Sequence, residues 1–90
     1  MDNKTERTNA GYIITRSIQF PTFEYVLGEK PNGSGYVTWY CKNGIDYYYG
    51  HYISDRDVAL LDLYERAQDE IVCVIDNLKS QIERKKEKPE

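Results

Sequence analysis

From Asp55 to Lys88 the chain contains neither glycine nor proline, and a stretch of that length without a breaker is best satisfied by one long helix. Leu60, Tyr64, Ala67, Ile71, Val74 and Leu78 step by four, three, four, three and four, the spacing of one helical face. Val58, Leu61, Val72, Ile75 and Ile82 form a second set beside it. Ser54 is the expected N-cap, and Asp55 and Asp57 follow where the helix dipole favours acids. A helix of about 30 residues, within about 55–86, extends roughly 45 Å at 1.5 Å per residue. Strands of six or seven residues reach only about 20 to 23 Å, so a sheet covers roughly half of such a helix. The remainder must pair with something else, or the helix must break near Asp76-Asn77 and fold back.

The residues before the helix read as strands. The run from Tyr12 to Ile18 is β-branched and aromatic, and Phe23, Tyr25 and Leu27 alternate onto one face after a break near Pro21. Gly28 to Gly35 concentrates turn formers, and a strand pattern resumes from Tyr36 to Lys42. Asn43-Gly44 then tolerates the positive φ angles of a type I′ turn. A two-residue loop would set Lys42 opposite Ile45, Cys41 opposite Asp46, Tyr40 opposite Tyr47, Trp39 opposite Tyr48 and Thr38 opposite Tyr49. One face would then carry Val37, Trp39, Cys41 and Tyr48, and the other Tyr36, Thr38, Tyr40, Tyr47 and Tyr49. The expected fold is α+β: an antiparallel meander of three to four strands over about 11–53, with one long C-terminal helix packed across the face that carries Trp39. The domain is expected over 11–82, after a polar, flexible lead at 1–10 and before a charged tail at 83–90.

Ninety residues, 40% of them hydrophobic and 30% charged, suit one small globular domain. No run is apolar enough to span a bilayer and the first ten residues are polar, so a soluble, cytoplasmic protein is expected. The formal charge of −3 disfavours general binding to nucleic acid. The cations Arg84, Lys85, Lys86 and Lys88 are interleaved with Glu83, Glu87 and Glu90, the pattern of a solvated helix end. Cys41 and Cys73 lie far apart without metal-site or thioredoxin-like spacing, and free thiols are expected.

Catalytic signals are sparse. The single histidine, His51, falls opposite Tyr36 in the expected hairpin, on the face away from Cys41, so a thiol–imidazole pair is not expected. One histidine and no repeated acidic or cysteine spacing leave no metal ligands, and no cofactor is expected. Asp55, Asp57, Asp62, Glu65, Asp69 and Glu70 have the spacing of a helix's solvated face. The loop from Pro31 to Gly35 lacks the Lys-Ser/Thr ending of a phosphate cradle and leads into a strand.

Tyrosine is the unusual component. Of nine tyrosines in the chain, Tyr36, Tyr40, Tyr47, Tyr48, Tyr49 and Tyr52 lie in or beside one hairpin. A rigid amphipathic ring offers contact area at low entropy cost, which enriches Tyr at interfaces. Tyr36, Tyr40, Tyr47 and Tyr49 are therefore the candidate residues for binding a protein partner, in a non-catalytic module. Ile71, Val74, Ile75, Leu78 and Ile82 are the candidate seam of a homodimer. The alternative is a small-molecule or nucleotide site, with the same rings stacking a base and Arg16 or Lys42 meeting a phosphate.

The run Tyr36-Val37-Thr38-Trp39-Tyr40, then Tyr47-Tyr48-Tyr49-Gly50-His51-Tyr52, then Asp62-Leu63-Tyr64-Glu65-Arg66-Ala67 resembles a pattern in small uncharacterised proteins of gut-type anaerobic bacteria and their mobile elements. The resemblance covers about residues 11–70. It implies a bacterial, mobile-element context and carries no assigned activity or site residues. In that context the binding module expected from the tyrosine face is an accessory, an adaptor or inhibitor.

Overall fold

The structure, a computed structural model, describes residues 6–87. The first half of the expected lead, residues 1–5, and the last residues of the tail, 88–90, lie outside the described residues. Five antiparallel strands form one meander in chain order: β1 (Thr8–Asn9), β2 (Tyr12–Gln19), β3 (Glu24–Glu29), β4 (Tyr36–Lys42) and β5 (Asp46–Ile53). The long helix α1 (Arg56–Glu87) follows. The architecture is α+β as expected, with five strands instead of three or four. The additional strand β1 lies within the polar lead. Ala10 and Gly11 take positive φ angles of 53° and 86° and turn it directly onto β2, with Asn9 opposite Tyr12. Strand β3 also extends through Gly28 and Glu29, positions expected in the following loop.

The β4–β5 hairpin forms, but in a different register. Asn43 and Gly44 both adopt positive φ, and the Ile45 N–H donates to the Lys42 carbonyl at 3.2 Å. The ladder nevertheless resumes with Lys42 opposite Asp46, Cys41 opposite Tyr47 and Tyr40 opposite Tyr48. Ile45 is the extra residue, looped out and 73% exposed. A second irregularity follows at Trp39, because Thr38 pairs with His51. Tyr49 absorbs this bulge with a φ of 56°, unusual for a residue with a Cβ. Tyr47 therefore shares a face with Trp39 and Cys41, and Tyr48 shares one with Tyr40, the reverse of the two-residue-loop register.

The two faces of the sheet are buried by different means. On one, Leu27 packs with Ala59 and Leu63 of α1, bordered by Ile18, Tyr25, Tyr36, Ile53 and Leu60. The helix thus lies on the face of Tyr36 and Thr38 and not on that of Trp39, contrary to expectation. Ala59 and Ala67 are buried on the same side as Leu63 while Tyr64 is exposed, so the stripe toward the sheet is rotated from the expected one. Two alanines let the helix approach the strands closely. Its cap is Asp55 and not Ser54: the Asp55 carboxylate accepts from the Val58 N–H at 3.0 Å.

Among the described residues no helix covers the other face, which is closed by curling. Val26, Val37, Trp39 and Cys41 are buried there against Tyr12, Ile14 and Tyr47. Tyr12 on β2 and Tyr52 on β5 stand three strand spacings apart, about 14 Å in a flat sheet, yet their ring centroids are 6.2 Å apart. Trp39 lies beneath them and spreads over two glycines. A Cβ on Gly28 would sit 3.1 Å from its Cζ3, and one on Gly50 2.8 Å from its Nε1. Those strand glycines are spaces left for one indole.

The helix is unbroken through Asp76-Asn77. Its 32 residues extend about 48 Å, and the molecule measures 61 × 31 × 22 Å with a radius of gyration of 17.0 Å. A compact chain of this length has a radius near 12 Å. The difference is the projecting helix.

Candidate interaction surface

Where the helix leaves the sheet is set by a small cluster of polar groups. The Thr38 hydroxyl, fully buried on β4, donates to the Asp62 carboxylate, which also lies 2.9 Å from His51 Nδ1. Arg66 donates to the Thr38 carbonyl, the Thr38 hydroxyl and the Tyr49 carbonyl at 3.0 to 3.2 Å, and its guanidinium stands 5.1 Å from the centre of the Tyr25 ring. Asp62 is thus a bridge to the sheet and not part of a solvated face. Threonine, aspartate and histidine together suggest a nucleophilic triad, but the geometry is wrong. The imidazole meets the carboxylate and not the hydroxyl, and the hydroxyl is sealed from solvent. The cluster pins α1 to β4 and β5.

Past Arg66 the helix runs out beside Tyr25. Burial, then the neighbouring Glu70 carboxylate, push the Tyr25 hydroxyl above its ordinary range. Ala67 is buried, Glu70 and Val74 are half-buried, and Ile71, Val72, Ile75, Leu78 and Ile82 are 44% to 52% exposed. Four of the five expected seam residues therefore lie open to solvent on the projecting segment, with Val74 partly covered.

At the same margin of the sheet, aromatic rings form a continuous surface. Phe20 stacks on Phe23 at 5.1 Å and Phe23 on Tyr40 at 4.8 Å. Tyr25 meets both Phe23 and Tyr40 edge-on. Tyr40 continues to Tyr48 and Tyr49 at 6.2 and 6.0 Å. Tyr40, Lys42, Tyr48 and Tyr49 enclose an open cleft of about 410 Å³. Of the candidate tyrosines, only Tyr40 and Tyr49 belong to this surface. Tyr36 packs against the Leu27–Leu63 core beneath the helix, and Tyr47 lies on the opposite face. Phe20, Phe23 and Tyr48 were missed. The signal for the two phenylalanines was their closeness around Pro21, and Tyr48 was hidden because a two-residue loop would set it on the face of Trp39. Arg16 is two strands from Lys42 and reaches Tyr64 at 3.4 Å, so the two cations do not converge on the cleft.

A second cleft, of about 590 Å³, opens at the mouth of the curled face between Arg7, Phe23, Glu24, Cys41 and the Asn43-Gly44 turn. Glu24, 6% exposed, accepts from both terminal nitrogens of Arg7 at 3.2 and 2.9 Å and from the Ser17 hydroxyl. Arg7 also donates to the Tyr47 hydroxyl at 3.1 Å, tying the segment before β1 to β3 and β5. Burial raises the Cys41 thiol above its ordinary range, and the Glu24 charge adds to this, so the sulfur stays protonated and unreactive. Cys41 is free and buried, Cys73 free and exposed. Among the described residues no group of acids, histidines and cysteines is arranged to hold a metal, and no helix is long and apolar enough to cross a membrane.

For Glu24, burial works against ionisation, but the hydrogen bonds from Arg7 and Ser17 outweigh it and lower the carboxyl below its ordinary 4.5. Glu29 is lowered as well, first by the Thr15 hydroxyl and, despite some burial, by Arg56. A carboxyl lowered in the folded state contributes stability above its unfolded value and loses it as the folded group protonates. The urea midpoint, followed from about pH 6 to about pH 3, should therefore fall once the pH drops below 4.5. The Arg7→Ala variant should show a shallower fall. An equal acid loss in that variant would remove Glu24 as the cause.

No protein-family model, curated protein or solved structure matches the chain significantly.

Proposed function

We propose that this protein is a non-catalytic protein-binding module that pairs with a second copy through its projecting helix and presents its aromatic surface to another protein. The observation that carries the reading is the helix beyond Glu70. Five large aliphatic side chains stand about half exposed there, on a segment that the protein's own sheet does not reach. An apolar stripe of that extent in water marks an interaction site. The aromatic surface adjoins it at Tyr25, where rings with polar tips offer the chemistry of a protein interface. In the mobile-element setting implied by the sequence resemblance, such a module is an accessory, an adaptor or an inhibitor.

Light scattering on the eluting protein tests the pairing. The expected mass is twice 10.6 kDa at tens of micromolar, and Ile75→Asp with Leu78→Asp should halve it while leaving the circular dichroism unchanged. A wild-type monomer overturns the pairing. A second reading, a nucleotide or other planar ligand stacked in the cleft of Tyr40, Lys42, Tyr48 and Tyr49, draws support from the cleft itself. A melting-temperature rise with one member of a nucleotide panel would favour it.

A further inference from the structure

The projecting helix has two properties that together specify how a second copy would lie on it. The first is spacing. Tyr64, Gln68, Ile71, Ile75, Leu78 and Ile82 step by four, three, four, three and four, and all six are exposed. That is the 3.5-residue repeat of a two-stranded coil, and it runs along a stripe separate from the Ala59–Leu63–Ala67 side that faces the sheet. The second is charge. Residues 57–76 hold six carboxylates and one arginine, whereas residues 77–86 hold four cations and one carboxylate.

We propose that two copies pair through this stripe in antiparallel orientation, with Ile71 of each over Ile82 of the other and Ile75 over Leu78. The inference rests on the self-association proposed above and adds the orientation and register. Parallel pairing would lay the acidic blocks against each other and the basic blocks against each other, a like-charge arrangement that disfavours the pair. Antiparallel pairing sets each acidic block against a basic one and opposes the two helix dipoles. In the stated register the apolar residues form four successive layers. Each end closes on Gln68 opposite Lys85, and Glu65 of one copy flanks the seam beside Lys86 of the other. The helix before Glu65, which carries most of the contact with the sheet, then lies beyond the end of its partner's described helix, so the two sheets stand at opposite ends of the pair. The exposed Cys73 falls away from the seam.

Disulfide trapping reads this directly. In a Cys73→Ser background, Ile71→Cys and Ile82→Cys proteins are oxidised separately and as a mixture, and the cross-linked dimer is quantified on a non-reducing gel. In the proposed pairing, residue 71 of one copy lies about 16 Å along the axis from residue 71 of the other, beyond the roughly 7 Å Cα separation that a disulfide spans. The mixture should therefore cross-link at least about tenfold more than either variant alone. Ile75→Cys mixed with Leu78→Cys should also cross-link, with less contrast to either variant alone, because residue 75 of one copy lies only about 4.5 Å along the axis from residue 75 of the other. Efficient cross-linking of Ile71→Cys by itself overturns the antiparallel orientation, and a light-scattering dimer that no variant traps overturns the seam. A monomeric mass for the wild-type chain overturns the underlying self-association instead, so the two failures are distinguishable.

Discussion

Trp39→Ala should lower the unfolding free energy by about 3 to 5 kcal/mol, the range for removing a large buried aromatic. The indole is 3% exposed and lies under a roof supplied by its own sheet. Tyr12 and Tyr47 meet it edge-on at 5.7 and 5.2 Å, and Tyr52 closes from β5 at 6.4 Å. Among the described residues no helix stands over this face to settle into a vacated space, and the curl that brings β2 toward β5 is built around the ring. Urea unfolding followed by far-ultraviolet circular dichroism measures the loss, since the only tryptophan is the one removed. A cost below about 1 kcal/mol, the scale of a tolerated core swap, would show that the curled face does not depend on Trp39. Gly50→Ala should be destabilising in the same assay, because its Cβ would meet the indole Nε1 at 2.8 Å.

The second large effect belongs to the ion pair at the mouth of that face. Glu24→Ala should cost about 2 kcal/mol, in the range for losing hydrogen bonds to a charged group and below that for breaking a fully buried pair, because the Arg7 side chain left behind is 36% exposed. The loss is that of a carboxylate which accepts twice from Arg7 and once from Ser17. Removing both charges is a different experiment. Arg7→Met with Glu24→Leu replaces the pair by apolar groups of similar size and should recover at least about half of the loss. Equal instability in the single and double variants would mean that Arg7 holds the fold through its Tyr47 contact and not through Glu24.

The two kinds of element differed in how much of them could be read from residues alone. The helix was legible because its signals are local: no breaker between Asp55 and Lys88, acids at its start, apolar residues at period 3.6. Its length against the strands also foretold that part of it projects. Which stripe meets the sheet was not legible, since the buried one, Ala59, Leu63 and Ala67, shares only Ala67 with the two apolar sets read from the spacing. Its alanines score poorly as hydrophobes and pack most closely. The hairpin was legible in its Asn43-Gly44 turn but not in its register, because looping out Ile45 costs little locally and is decided by which rings fit around Trp39. Arg7 was invisible as a structural residue. Nothing near it in sequence shows that its partner is Glu24, 17 positions away. The same holds for the aromatic surface, where Phe20 and Phe23 reach Tyr40 and Tyr48 only through tertiary pairing.

The looped-out Ile45 and the bulge at Tyr49 have a joint consequence for how this sequence can drift. Each adds one residue to β5, and because side chains alternate, each reverses the assignment of every residue until the next irregularity. Only the short stretch from Asp46 to Tyr48 sits between them. Losing Ile45 itself would leave a two-residue Asn43-Gly44 turn with Lys42 still opposite Asp46, and losing the bulged residue at 49 would leave Tyr48 opposite Tyr40 and His51 opposite Thr38, so each loss keeps every other pairing. A residue gained or lost elsewhere in β5 would instead exchange the faces of Tyr47 and Tyr48 or turn His51 away from Asp62. Length changes in this hairpin are thus tolerated at the turn and at the bulge, and a gap of one in any relative of this chain is to be sought at those two places.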